Sequence, residues 1–307
     1  MSILHVKNLT KIFFEGKSSF VAVDQLSFEL NEGEILGILG PNGAGKTTTI
    51  EMLLGTLKPT SGVISYFGKE LYKGHDAILH AIGHASSYNK LPGSLTVERN
   101  LDIIGRLYSI KSQARKARIN ELLTKFNMHE FQKARTSSLS AGQMTRLMLI
   151  KAFFAKPRIL LLDEPTASLD PDIAEEVRSY ILEQQFVDGV SIILTSHNME
   201  EVAKMCGRAL VLQRGRIIEE DTPQQLAKSV SLNKVKLAVV DMPRAIRSIE
   251  KLSLIYEDRD HSLTVEVEEQ DVPHLLKRLI LDGVDFTHIE MHKPTLEDYF
   301  LHISRQR

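Results

Sequence analysis

The chain has a single cysteine, Cys206, in 307 residues. A lone thiol has no internal partner, so a disulfide scaffold is excluded and a reducing compartment is expected, with Cys206 serving as a small apolar residue near a helix end. It joins no cluster with metal-ligand spacing. Neither sign of charge is in excess: 38 Lys and Arg against 39 Asp and Glu leave a formal net charge of −1, and the pI is near 6.8. That balance gives no electrostatic case for nucleic acid or an acidic membrane surface as a partner. Long apolar runs are missing as well. Stretches such as Ile159 to Leu162 fall far short of the roughly 20 residues that cross a bilayer. The first twenty residues, with Lys7, Lys11 and Glu15 among them, hold no continuous apolar core of the kind a secretion signal needs. What remains, 43% hydrophobic and 25% charged, is the composition of an ordinary globular protein with room for one large domain and a small one.

Against that background the stretch Gly40-Pro41-Asn42-Gly43-Ala44-Gly45-Lys46-Thr47 is specific. It fits G-x-x-x-x-G-K-[ST], in which glycines let successive backbone N–H groups turn onto phosphates, the Lys neutralises their charge and the hydroxyl reaches Mg²⁺. Its setting agrees. Ile35 to Leu39 is a short apolar run suited to a strand buried on both faces, and a helix from Lys46 to Leu54 follows, its N-terminal dipole favouring phosphate. Arg158 to Glu164 is a second such run ending in two adjacent acids. Asp163 at the strand's carboxyl end can face a metal while Glu164 points at an attacking water.

Leu139-Ser140-Ala141-Gly142-Gln143 resembles the signature sequence, usually L-S-G-G-Q, of the ATP-binding subunits of ABC transporters, the one superfamily that joins it to a phosphate loop. In the family's order, Ala167-Ser168-Leu169-Asp170 resembles the D-loop, and Thr195-Ser196-His197 the switch histidine. The resemblance covers roughly residues 3 to 222. It implies a nucleotide site of Asn42, Gly43, Ala44, Gly45, Lys46, Thr47 and Thr48, with Thr47 and Asp163 on Mg²⁺, and Lys46, Glu164 and His197 as the catalytic set. Gln143 and Asp170 would belong to the nucleotide site too, and Ser140 and Gly142 would bind the γ-phosphate of the nucleotide held by a second copy, so that two ATP molecules join a head-to-tail homodimer. The adenine would stack on an aromatic residue before the phosphate loop: Phe13 is the first candidate, with Phe14 and Phe20 as competitors.

The fold expected is α/β, a P-loop ATPase core of residues 1–228 carrying an antiparallel β subdomain and a helical insert near residues 96–138. Alternation in Ile3 to Phe13 and Leu26 to Leu30 gives the antiparallel strands. Basic residues in Lys111 to Lys125 read as a solvated helix face, because Glu98, Asp102, Glu121 and Glu130 are interleaved. Residues 232–307 form a small α+β accessory domain. Alternation at Val235, Leu237 and Val239, and again at Leu263, Val265 and Val267, marks strands, and Val272, Leu275, Leu276, Leu279 and Ile280 recur at helical spacing. With strands near Ser253 to Glu257 and Phe286 to Met291 the order is β-α-β-β-α-β, which is ferredoxin-like. The ending Pro294 to Phe300 resembles that of accessory domains on export-type family members.

Two positions depart from the family: Ala141 replaces a glycine, and Ser87 stands where a metal-contacting Gln is usual. The resemblance implies an ATP-hydrolysing subunit, peripheral on the cytoplasmic face of a membrane, that drives a separately encoded permease, with export favoured. Residues 86–92 are the expected docking segment. The alternatives are an ABC-type ATPase that clamps nucleic acid or protein without transporting, and a nucleotide-gated binding module with negligible turnover. Against the first stand a single phosphate loop and an insert without sustained heptads; against the second stands Glu164.

Overall fold

A computed structural model describes residues 1–16, 18–73, 78–86, 91–229, 232–259 and 262–305. Ser87 and most of the expected docking segment lie outside the described residues. The chain divides into two compact units, Met1–Thr222 and Pro223–Arg307.

In the first unit, long strands β1 (Ser2–Glu15) and β2 (Ser18–Asn31) pair antiparallel, and β4 (Ser61–Tyr66) and β5 (Lys69–Glu70) extend the sheet in the order β2-β1-β4-β5. The second sheet is built on β3 (Ile35–Leu39), β6 (Ile82–Ser86), β7 (Ile159–Asp163), β8 (Ser191–Ser196), β9 (Arg208–Gln213) and β10 (Arg216–Asp221), in the order β10-β9-β3-β8-β7-β6. Every residue of β3, β7 and β8 is buried, which is why these strands read as unbroken apolar runs. All of the pairings are parallel except β9 with β10. The carboxyl ends of β3, β6, β7 and β8 therefore share one edge, where Leu39 stands opposite Ser196 and Asp163 lies between Ser86 and Thr195. One core joins the two sheets, with Leu4, Val6 and Leu9 of β1 in the same cluster as Leu36, Ile38 and Leu210.

Between β6 and β7 come α2 (Val97–Leu107), α3 (Ser112–Lys125) and α4 (Ala141–Phe153), after α1 (Lys46–Leu53). Thr96 caps α2 by accepting from the Arg99 N–H. The basic stretch of α3 departs from a purely solvated face. Arg115 and Arg118 are buried, at 7% and 9% exposure. Arg115 lies 2.5 Å from Asp102, and Arg118 donates to the Phe153 carbonyl at 2.8 Å and to Glu121. The interleaved acids thus satisfy guanidinium groups that tie the insert together, which a surface drawn from sequence spacing alone does not show. After β7 come α5 (Pro171–Asp188) and, between β8 and β9, α6 (Met199–Met205).

In the second unit, α7 (Pro223–Lys228), β11 (Asn233–Val239), α8 (Met242–Lys251), β12 (Ile255–Arg259), β13 (Ser262–Val267), α9 (Val272–Leu281), β14 (Phe286–His292) and α10 (Leu296–Arg305) follow in order. The sheet runs β12-β13-β11-β14, antiparallel throughout, so the β-α-β-β-α-β order expected of residues 232–307 is the one observed. Val235, Leu237, Leu263 and Val265 meet Ala245 and Ile249 of α8 and Leu275 and Leu279 of α9 in one core. Ile280, expected on that face, is 61% exposed: at the last turn it has rotated past the sheet. The Pro294 to Phe300 ending starts α10, with Thr295 and Asp298 capping each other reciprocally and Tyr299 fully buried. The division after Thr222 puts α7, placed with the first unit by the boundary at 228, in the second, where it packs on α10.

Candidate functional site

The loop between β3 and α1 turns on its glycines. Gly45 caps α1 at φ 105, and a Cβ there would come within 2.6 Å of the Ala22 carbonyl oxygen; only glycine can hold this conformation and this approach. α1 has no side-chain cap and no acid in its first turn, so its first N–H groups are left for an anion. A cavity of about 550 Å³ opens over them, lined by the loop from Asn42 to Thr48 and by Phe20, His84, Ser86, Asp163 and Glu164.

Lys46 is 7% exposed, and its ammonium donates to the Gly40 carbonyl at 2.7 Å and the Pro41 carbonyl at 3.3 Å. Burial pushes its pKa below the usual lysine value, against the pull of Glu164 and Asp163, which favour the charge. Asp163 is 1% exposed and is held at both oxygens. The Thr195 hydroxyl donates to Oδ1 at 2.5 Å, and the Thr47 hydroxyl to Oδ2 at 3.1 Å, with Ser86 Oγ 3.5 Å from the same atom. Glu164 follows at φ 53, a left-handed conformation that costs a non-glycine residue free energy. Its N–H donates to the Thr195 carbonyl at 3.0 Å, which holds the turn. The turn sets the carboxylate against the end of β8, where Glu164 Oε2 lies 2.6 Å from His197 Nδ1 and 3.3 Å from the His197 backbone N. With Nδ1 engaged, Nε2 is the imidazole nitrogen available to a further partner. His84, on β6, is pushed down to about 4 by burial and by the charge of Lys151, so this wall of the cavity is neutral.

The structure therefore brings Lys46, Thr47, Asp163, Glu164 and His197 to one sheet edge. Ser140, Gly142, Gln143 and Asp170 do not line that cavity. Ser140 is exposed at the start of α4, where its hydroxyl accepts from the Gln143 N–H at 3.3 Å while Gln143 Oε1 accepts from the Ser140 N–H at 2.9 Å. Ala141 is exposed beside them, so its methyl meets no obstacle. At Gly142 an added Cβ would lie 3.2 Å from the Ser168 carbonyl oxygen, which leaves little room between this helix and the segment after Glu164. Phe13 does not line the cavity and Phe20 does. The two are register partners across β1 and β2, so they share a face of the sheet; the longer hairpin carries Phe20 over the phosphate loop and leaves Phe13, with Lys11 over its ring, outside. Sequence reasoning missed His84, Ser86 and Thr195. Ser86 and Thr195 could have been found from the parallel register alone, since they flank Asp163.

Among the described residues no group of three or more His, Cys, Asp or Glu could hold a metal. One carboxylate and one hydroxyl beside a phosphate loop are the donor set by which proteins hold a Mg²⁺ that also rests on phosphate oxygens, and Asp163 and Thr47 fit it. A larger cavity, about 700 Å³, lies in the second unit between Gln224, Asn233, Glu268 and Lys293. Lys293 there pairs with Glu269 at 3.0 Å.

Residues 23–167 match the family model described as ABC transporter, and residues 222–304 the one described as ATP-binding protein DrrA1-3-like, C-terminal domain. The bacitracin transport ATP-binding protein BcrA of Bacillus licheniformis is 31% identical over 303 residues, covering 98% of this chain and 96% of its own. The Nod factor export ATP-binding protein I of Paraburkholderia xenovorans is 34% identical over 292 residues, 92% of this chain and 91% of its own. Among solved structures, an ATP-binding subunit of an ABC transporter superposes with a TM-score of 0.67 at 26% identity, over 74% of this chain and 92% of that one.

Proposed function

Because this chain belongs to the family of ABC transporter ATP-binding proteins, an ATPase family, we propose that Glu164 is the general base of its hydrolysis reaction and that the protein drives export through a separate permease. The observation that carries the catalytic part is the Glu164–His197 contact at 2.6 Å, made by a Glu164 that lines the phosphate cavity. Phosphoryl transfer asks little covalent work of the protein, so positioning and charge neutralisation decide the rate. Lys46 offers its ammonium to the terminal phosphates, exchanging the Gly40 and Pro41 carbonyls for phosphate oxygens. Glu164 orients and deprotonates water, and His197 holds that carboxylate and offers Nε2 to the γ-phosphate. Thr47 and Asp163 would hold Mg²⁺, which supplies charge neutralisation on the phosphate oxygens when bound.

Ser140 and Gly142 lie outside the cavity of their own protomer and are assigned to the γ-phosphate of a partner copy, with two ATP shared in a head-to-tail dimer. Export is supported by the named roles of the two relatives, bacitracin transport and Nod factor export, and by the DrrA-like C-terminal match. Among the described residues no helix is long and apolar enough to cross a membrane, which suits a subunit that sits on the inner face against a permease. Replacing Glu164 with Gln should leave ATP binding intact and lower turnover by about 10²–10⁴, roughly 3–5 kcal/mol of barrier. Steady-state hydrolysis at the wild-type rate in purified Glu164→Gln protein would remove Glu164 from the role.

A further inference from the structure

Glu201, in the first turn of α6, is 2% exposed and takes no part in the catalytic set. The cations that line the same cleft are engaged elsewhere: Lys204 pairs with Glu200 at 2.9 Å and Arg178 with Glu175 at 2.6 Å. Burying a carboxylate costs several kcal/mol unless its oxygens are fully bonded, and here both are. Oε1 accepts from the Thr166 hydroxyl at 2.7 Å and Oε2 from the Ser196 hydroxyl at 2.6 Å. Asn198 closes the arrangement, its N–H donating to Ser196 Oγ at 3.0 Å and its Oδ1 accepting from the Glu201 N–H at 3.1 Å.

Thr166 comes two residues after Glu164, and Ser196 immediately precedes His197. One buried carboxylate thus holds the two segments that carry the partners of the 2.6 Å contact. Glu164 itself sits at a strained φ of 53 and His197 is mostly exposed, so the contact between them draws on what holds their neighbours. We propose that Glu201 is a positioning residue of the hydrolysis reaction: through Thr166 and Ser196 it fixes the separation of Glu164 and His197 without touching the nucleotide. The inference rests on the roles given above to Glu164 and His197. Its physical basis is that a displacement of about 1 Å at reacting groups can cost on the order of a hundredfold in rate.

The test is ATP turnover and nucleotide affinity in Glu201→Ala and Glu201→Gln proteins, with Glu164→Gln measured alongside. Alanine removes both acceptors, and kcat should fall roughly ten- to a hundredfold while the Kd for ATP stays within about twofold, because Lys46 and the phosphate loop are untouched. Glutamine can accept from one hydroxyl and donate to the other, so Glu201→Gln should recover to within about threefold of wild type. Should Glu201→Ala not fold, Thr166→Val and Ser196→Ala each remove one of the two bonds, and each should lower kcat several-fold with Kd unchanged. A Glu201→Ala enzyme with wild-type kcat would overturn the inference, as would a loss of kcat matched by an equal loss of ATP affinity. If Glu164→Gln is inactive while Glu201→Ala is fully active, only the positioning role fails. If Glu164→Gln is itself active, the catalytic reading beneath it fails.

Discussion

The phosphate loop and the signature segment are both loops that open a helix, and they are finished in different ways. At the phosphate loop the polar groups reach across the sheet edge: Thr47 to Asp163 over 116 residues of sequence, Lys46 back to Gly40, and a cavity left above bare N–H groups. At the signature, Ser140 and Gln143 satisfy each other, and the helix start is exposed. The first surface forms a cavity within one protomer. The second is an exposed helix start, capped by its own side chains, that does not line that cavity.

The largest effects should separate the two surfaces cleanly. Lys46→Ala and Ser140→Arg should both abolish turnover, and they should differ in binding. Losing the charge-assisted contacts of Lys46 should weaken ATP binding by about 1.5–3 kcal/mol, roughly ten- to a hundredfold in Kd, whereas Ser140→Arg should leave the monomer's Kd within about twofold. Fluorescent-nucleotide titration of the two purified proteins distinguishes these outcomes, and equal weakening in both would erase the contrast.

A smaller effect maps the adenine end of the enclosed surface. Stacking on an aromatic side chain is worth about 1–3 kcal/mol per base, and Phe20 lines the cavity while Phe13 stands opposite it in register. Phe20→Ala should therefore weaken ATP binding more than Phe13→Ala. The reverse order in the same titration would return the adenine to Phe13.

The smallest effect concerns the cavity wall and depends on pH. His84 sits near 4 against an ordinary value of 6.5, so above pH 6.5 both folded and unfolded chains hold it neutral and it costs nothing. As the pH falls from 6.5 toward 4 the unfolded chain binds a proton that the folded chain refuses, and stability drops by up to about 1.4 kcal/mol per pH unit. His84→Gln removes the titration. Urea denaturation at pH 7 and pH 5 should show a smaller acid loss for the variant than for wild type, and parallel losses would mean that His84 is not dry.

Much of this arrangement was legible in the sequence because it depends on local pattern. The loop from Gly40 to Thr47, the acids ending β7 and the histidine after β8 each lie next to an apolar run that reads as a buried strand, and parallel strands bring their carboxyl ends together. The ferredoxin-like order was legible for the same reason, since periods of two and 3.6 alternate clearly between Val235 and Met291. What was not legible depends on register and on distant partners. Phe20 displaces Phe13 from the cavity through hairpin pairing, and the burial of Arg115 and Arg118 depends on helices that meet only in three dimensions. Glu201 gives little local sign of its role either: Ser196 is only five residues away, but the bond to Thr166 exists only once β7 and β8 lie side by side.

The composite site is tested most directly by mixing Lys46→Ala and Ser140→Arg proteins, each inactive alone, and measuring ATP hydrolysis at saturating nucleotide. In a head-to-tail dimer one of the two sites then combines an intact phosphate loop from one protomer with an intact signature from its partner, while the other site carries both lesions. The mixture should recover activity from that one site. No recovery, with mixed dimers shown to form, would contradict the pairing of the two surfaces.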